Sequence, residues 1–191
     1  DPRLAESILE RNQADVIVMG RALLADPDLP NKAAKGQLDD ITPCIGCGLG
    51  CIAGRDSHPM TCLMNPSVGR EREMALTSAA KPKKVMVISG GPGGLHAAMV
   101  AAQRGHHVTL YEKQDRVGGQ FNLAVIPPGK QELTKATQFL AHQVNKAGVK
   151  VHLNTEVTPT VVEQEKPDVA IVATGGKALV LNIPGIKGKS V

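Results

Sequence analysis

The sequence predicts an α/β protein built on parallel strands, in two unequal parts joined by a cysteine-rich loop. Three observations carry the prediction: a helix, an apolar run and a Gly-Arg pair over residues 2–21; four cysteines crowded between Cys44 and Cys62; and a strand, glycine turn, helix, strand and acid in succession over residues 85–112. Composition agrees. The 191 residues are 42% hydrophobic and 21% charged, which excludes a disordered tail, a collagen-like repeat and a disulfide-dense toxin. No apolar run approaches the roughly 18 residues of a membrane span, so no membrane partner is expected. The net charge is +4, with one Tyr, two Phe and no Trp. Nucleic-acid binding needs a basic stripe with aromatics to stack on, so none is expected.

Residues 2–12 have the apolar spacing of an amphipathic helix, and Ala14–Met19 is an apolar run that predicts a buried parallel strand. Gly20-Arg21 follows at the strand end, then a short helical stretch through Leu24 and a DPDLP turn at 26–30. Ligand groups sit at the C-terminal strand ends of such folds, so Arg21 is either a bidentate phosphate holder or a surface arginine. The chain opens at Asp1 directly in helical text, which leads us to expect a piece of something longer. Gly69-Arg70-Glu71-Arg72-Glu73 predicts a solvated helix start, and TSAAKPKK at 77–84 a linker.

The cysteines are spaced C-x2-C-x3-C-x10-C. Disulfides, a zinc ion and an iron–sulfur cluster are all compatible with four cysteines. Structural zinc usually takes two separated pairs, whereas three crowded cysteines and one apart suit a cubane wrapped by one loop. Gly46, Gly48 and Gly50 let that loop curl, and His58 is a conceivable further ligand.

From residue 85 the text becomes dinucleotide-like. Val85–Ile88 is a strand, SGGPGG at 89–94 a glycine turn, and a helix from about 94 to 104 ends at Gly105. His107–Tyr111 is a second strand ending in Glu112, which lies 21 residues after Gly91. In this fingerprint the helix N-terminus meets a pyrophosphate and the acid meets ribose hydroxyls. Glu112 favours a free ribose hydroxyl over a 2′-phosphate, and Ser89 stands where the first glycine belongs. Further on come a Gly118-Gly119-Gln120 turn, a long amphipathic helix at 130–147 ended by Gly148, a third strand at 149–153, and a strand at 167–172 that runs into a glycine turn. Tyr111 and the histidines at 96, 106, 107, 142 and 152 are expected to be structural or surface residues, and no catalytic set stands out.

In this order the motifs resemble the NADH:flavin oxidoreductases of the bacterial 2,4-dienoyl-CoA reductase, 2-enoate reductase and trimethylamine dehydrogenase type. GRALLADPDL is similar to the last strand of that family's FMN barrel, CIGCGLGC…TCLMNP to its 4Fe-4S loop, and SGGPGGL, LYEK, VGGQFNLA, PPGK and VAIVATG to the first half of its FAD-type domain. The resemblance implies an α/β chain made of the last strand-helix unit of a TIM barrel (1–40), an iron–sulfur segment (41–76), a linker (77–84) and an incomplete Rossmann-like domain (85–191).

It further implies that Gly20 and Arg21 bind the FMN phosphate and that Cys44, Cys47, Cys51 and Cys62 ligate the cluster. Gly91, Gly93, Gly94, Glu112, Lys113, Gly119, Gln120, Lys130, Val157, Ala173, Thr174 and Gly175 would line FAD, or ADP in its place. The chain departs from the family at Ser89, in a last cysteine gap of ten residues where the reductases have eleven, and at Leu179-Val180-Leu181, although Ile183-Pro184-Gly185 fits.

The activity so implied passes electrons from NAD(P)H through FAD and the cluster to FMN, and reduces an activated C=C bond in an enoyl or dienoyl thioester or an enoate. The alternatives are an amine dehydrogenase of the trimethylamine type, with electrons flowing outward, and a non-enzymatic nucleotide-binding module stapled by zinc. A small-molecule substrate, a cytoplasmic location and an inactive isolated piece are expected.

Overall fold

In the computed structural model the described residues are 1–53, 59–177, 179, 181–184, 186 and 188. The fold is organised by a four-stranded parallel sheet in the order β3-β2-β1-β4, with β1 Lys84–Ile88, β2 His107–Tyr111, β3 Lys150–His152 and β4 Val169–Val172. Register pairs Val87 with Leu110 and with Ile171, and Leu110 with Val151. Alternate residues of a strand share a face, so Val85, Val87, Val108 and Leu110 point together into the core.

Two helices cover that face. In α6 (Thr134–Lys146) the buried Ala136, Leu140 and Val144 recur every four residues and form one apolar stripe. In α4 (Pro92–Gln103) the buried Gly94, Leu95 and Ala98 lie on one face, at i, i+1 and i+4. On the opposite face Met86 and Tyr111 are buried, and Tyr111 stacks on His152 with ring centroids 5.0 Å apart. Glu165, at the end of α7 (Pro159–Glu165), pairs with Lys84 at 3.1 Å. Tyr111 therefore packs, as expected.

Among the described residues, the first 83 contribute no strand. They hold α1 (Pro2–Glu10), capped by the Asp1 carboxylate, α2 (Arg21–Ala25), α3 (Leu29–Ala34) and a 3-10 turn at Leu38–Asp40. The strand expected at Ala14–Met19 is instead unpaired chain, with Val16 74% and Val18 91% exposed. A strand exists only by hydrogen-bonding a neighbour, and among the described residues none lies beside it.

Other expectations shift by a turn. DPDLP opens into α3, because Pro30 is tolerated in a helix's first turn. For the same reason α4 begins at Pro92 rather than 94. Residues 69–74 make turns instead of a helix start, and the stretch expected as one helix at 130–147 begins with a 3-10 turn, Gln131–Leu133. The short helices α3, α5 (Phe121–Ala124) and α7 lie where no helix is expected. Among the described residues no helix is long and apolar enough to cross a membrane.

One carboxylate fastens the first part to the second. Asp40 accepts the Gln143 side-chain N–H at 3.0 Å, faces His142 Nε2 at 3.3 Å and pairs with Lys146, all three on α6. The Lys146 hydrogen bond, helped by Gln143 and His142, holds the Asp40 carboxyl below its ordinary value. A lowered folded value stabilises the fold above the ordinary aspartate range, near about 3.9, and that stabilisation is lost as pH falls through the folded value. We expect Asp40→Asn to lower stability by about 1–2 kcal/mol at neutral pH. It should also flatten the acid limb of a melting-temperature profile below about pH 4.

Candidate functional site

The glycine turn and its acid form the first site. Glu112 ends β2 and is only 2% exposed, so its carboxylate needs partners inside the protein. Oε2 accepts the Gly90 N–H at 2.6 Å and the Ser89 hydroxyl at 3.1 Å, and Oε1 accepts the Gln114 N–H at 2.9 Å. Ser89 has φ +87°, a left-handed conformation that costs a serine on the order of 1–3 kcal/mol and that glycine adopts freely. The missing first glycine is therefore felt as backbone strain, and the hydroxyl bond to Glu112 offsets part of it.

The last glycine of the turn is required by contact. A Cβ on Gly94 would stand 1.9 Å from the Ser89 carbonyl oxygen, and Ala173 lies against the same point. A Cβ on Gly91 would meet nothing within 4 Å. Gly91 thus leaves open space at the head of α4, which no side chain caps, while Gly119 approaches it from the next turn. Beside this turn lies a cavity lined by Ser89, Glu112, Lys113, Gly119, Gln120 and Thr174, among others. Gln120 closes one edge by donating to the Gly176 carbonyl. Gly93 is exposed beside Gly94, and Gly175 follows Thr174 with φ +70°. Lys130 and Val157 do not line this cavity; Lys130 is exposed ahead of the 3-10 turn and Val157 is half-buried.

The second site is the cysteine loop. Cys44, Cys47, Cys51 and Cys62 are free, half-buried and line one small cavity with Arg21 and Leu24. Both ends of the loop are pinned to the preceding helices. Buried Asp26 accepts the Thr42 N–H and the Lys32 ammonium, each at 2.7 Å, and Asn65 donates to the Leu24 carbonyl at 2.9 Å. Within the loop Gly50 lies so close to Thr61 that a Cβ would stand 2.2 Å from its hydroxyl, and this contact brings Cys51 alongside Cys62. Asp26 and Asn65 are functional supports that sequence reasoning missed. The only signal for them is their position just outside the cysteine run.

The donor set bears on which group fits. Four thiolates satisfy the four corners of a cubane. Four free thiols around one cavity supply the donor set of such a cluster and equally that of a four-cysteine zinc site. Pairing as disulfides is not seen, and His58 lies outside the described residues, as do Val180 and Gly185.

Gly20 and Arg21 head α2, and both line a third cavity together with Met19 and Cys44. Arg21 thus borders this cavity and the cysteine cavity at once.

A parallel sheet whose first strand turns through glycines onto a buried acid defines a dinucleotide-binding α/β domain. Residues 83–191 match the family model described as pyridine nucleotide-disulphide oxidoreductase, and the chain belongs to that family. The relatives it matches are consistent with the NADH:flavin oxidoreductases of the 2-enoate reductase type. The chain is 41% identical to a metal reductase of Desulforamulus reducens, over all of this chain and 29% of that protein. A solved 2-naphthoyl-CoA reductase, in complex with 2-naphthoyl-CoA, superposes with a TM-score of 0.94 at 39% identity, over 99% of this chain and 29% of its own. A 6-hydroxypseudooxynicotine amine oxidase from Pseudomonas geniculata superposes with a TM-score of 0.89 at 30% identity, over 99% of this chain and 30% of its own. The chain spans under a third of the length of these relatives.

Two glycine variants separate folding from binding at the turn. Gly94→Ala should lower stability by ~3 kcal/mol in a denaturant melt, because backbone must move to admit the Cβ. Gly91→Ala should melt within about 0.5 kcal/mol of the parent yet bind ADP at least about tenfold more weakly, its methyl occupying the space a phosphate needs.

Proposed function

We infer that this chain belongs to an iron–sulfur flavoprotein oxidoreductase that takes electrons from NAD(P)H through FAD and a 4Fe-4S cluster to FMN and reduces an activated C=C bond of an enoyl or dienoyl thioester or an enoate. The observation that carries the reading is the company the cysteines keep. Four free thiols surround one cavity bordered by Arg21, in a chain whose next element is a dinucleotide turn closed on a buried acid. Likeness to a reductase of an aromatic CoA thioester supports the substrate class.

In this reading residues 1–40 end an FMN barrel, 41–76 carry the cluster, 77–84 link, and 85–191 begin the FAD-type domain. Cys44, Cys47, Cys51 and Cys62 hold the cluster. Asp26 and Asn65 fix the loop so that the four sulfurs stay in place when the cluster's charge changes. Gly20 and Arg21 take the FMN phosphate, the guanidinium supplying the charge. Gly91, Gly93 and Gly94 let the dinucleotide phosphates approach the head of α4, and Glu112 accepts from the ribose. Gly119, Gln120 and Thr174 line the cavity beside the turn, and Ala173 and Gly175, on either side of Thr174, are assigned to the dinucleotide on motif position. Lys113 at its rim, with Lys130 and Val157 outside its lining, is assigned to the dinucleotide on motif position. A low-potential cluster and free thiols suit a reducing cytoplasm.

The likeness to an amine oxidase favours a second reading, an amine dehydrogenase with outward electron flow and ADP alone in the second domain. Tightly held FAD would support the reductase, and ADP alone the dehydrogenase.

Iron, zinc and acid-labile sulfide measured on anaerobically purified protein should give about four irons and four sulfides per chain. One zinc without sulfide would sink the reading and leave a zinc-stapled nucleotide-binding module. Asp26→Asn should reduce iron content on purification while leaving ADP binding unchanged, since it loosens only the cysteine loop.

A further inference from the structure

A continuous line of polar contacts runs from α6 to the cysteine loop. On α6, Gln143 donates to the Asp40 carboxylate at 3.0 Å, Lys146 pairs with it, and His142 Nε2 lies 3.3 Å away. The main-chain carbonyl of the same Asp40 accepts from Lys32 Nζ at 3.0 Å. Lys32 Nζ also donates to Asp26 Oδ2 at 2.7 Å. That oxygen accepts the Thr42 N–H at 2.7 Å, two residues ahead of Cys44. The other oxygen of Asp26 accepts the Asp28 N–H at 3.0 Å, which fixes the carboxylate. Asp40 is thus gripped by α6 through its side chain and by Lys32 through its backbone. The Lys32 side chain is 25% exposed and that of Asp26 4%, so salt screens this pair far less than a surface one. Without the ammonium, Asp26 would be a buried carboxylate lacking its counter-charge, and Asp40 would reach Thr42 only along the chain.

Resting on the reading of the four cysteines as one metal site, we propose that Lys32 is a positioning residue that couples the metal affinity of that site to the docking of α6. Gathering four thiolates around a metal orders the loop, and that ordering costs conformational entropy. A Thr42 backbone already fixed through Asp26, Lys32 and Asp40 lowers the cost at the Cys44 end. Lys146 does not line the cysteine cavity, yet its loss frees one side of Asp40 and with it the loop. Coupling between two sites is reciprocal, so metal held by the cysteines also steadies the last turn of α6.

Reduced, metal-free protein would be titrated anaerobically with Co2+, following the cobalt–thiolate absorption. The forms compared are wild type, Lys32→Met, Lys146→Met and the double variant, each shown to be folded by its melting curve. If Lys32→Met does not fold, the charge-neutral pair Lys32→Met with Asp26→Asn takes its place. Lys146→Met should bind Co2+ about threefold more weakly and Lys32→Met about tenfold. The double variant should match Lys32→Met, because the path is already cut, whereas independent effects would multiply to about thirtyfold. Hydrogen exchange gives the reciprocal reading: Co2+ should slow exchange at residues 143–146 in wild type and not in Lys32→Met. Wild-type affinity in Lys146→Met, multiplied weakening in the double variant, or equal protection of α6 with and without Lys32 overturns the coupling. A folded wild type that gives no cobalt–thiolate band removes the metal-site reading itself.

Discussion

The arrangement of the second domain depends on one buried charge. Glu112 is almost fully removed from water, and an ion of its size left there without partners would cost several kcal/mol. The three donors that compensate it come from the turn after β1 and from the loop after β2, and each charge-assisted bond contributes roughly 1.5–3 kcal/mol. Its backbone continues the tie, donating to the His152 carbonyl at 2.8 Å and accepting from Thr155 at 2.9 Å. A single residue thus joins the ends of three strands, and the cavity beside it has the shape that those ties impose.

The cysteine loop follows the same logic with a different charge. Asp26 is buried and binds both Lys32 and the backbone just ahead of Cys44. Asn65 does the corresponding work behind Cys62. A loop with few apolar side chains has little hydrophobic burial to hold it, so its shape rests on such hydrogen bonds and on the close approach of Gly50 to Thr61. Asp40 then attaches the whole first part to α6 through Gln143, His142 and Lys146. The two candidate sites are held in one molecule largely by carboxylates that no motif announces.

What was legible in the sequence was what is decided locally. Strands β1, β2, β3 and β4 follow from short β-rich runs between glycines, and α6 from a four-residue apolar repeat. The glycine turn and its acid are readable because their spacing along the chain is their geometry. Helices α3, α5 and α7 were not legible: each is under eight residues, and two carry a proline within their first turn, so pattern and propensity point elsewhere.

By itself, then, the sequence determined the four strands and the helices α4 and α6, the glycine turn, the acid at 112 and the clustering of four cysteines, because all of these are set by neighbours within a few residues. Tertiary structure alone decided the rest. The apolar run at Ala14–Met19 is unpaired, with Val16 and Val18 exposed, since a strand needs a partner that local sequence cannot supply. The cysteines share a cavity with Arg21 because Asp26 and Asn65 fold the loop back onto earlier helices. Ser89 acquires its positive φ and its bond to Glu112 only when β1 and β2 lie side by side, for a residue 23 positions away can be reached through space but not along the chain.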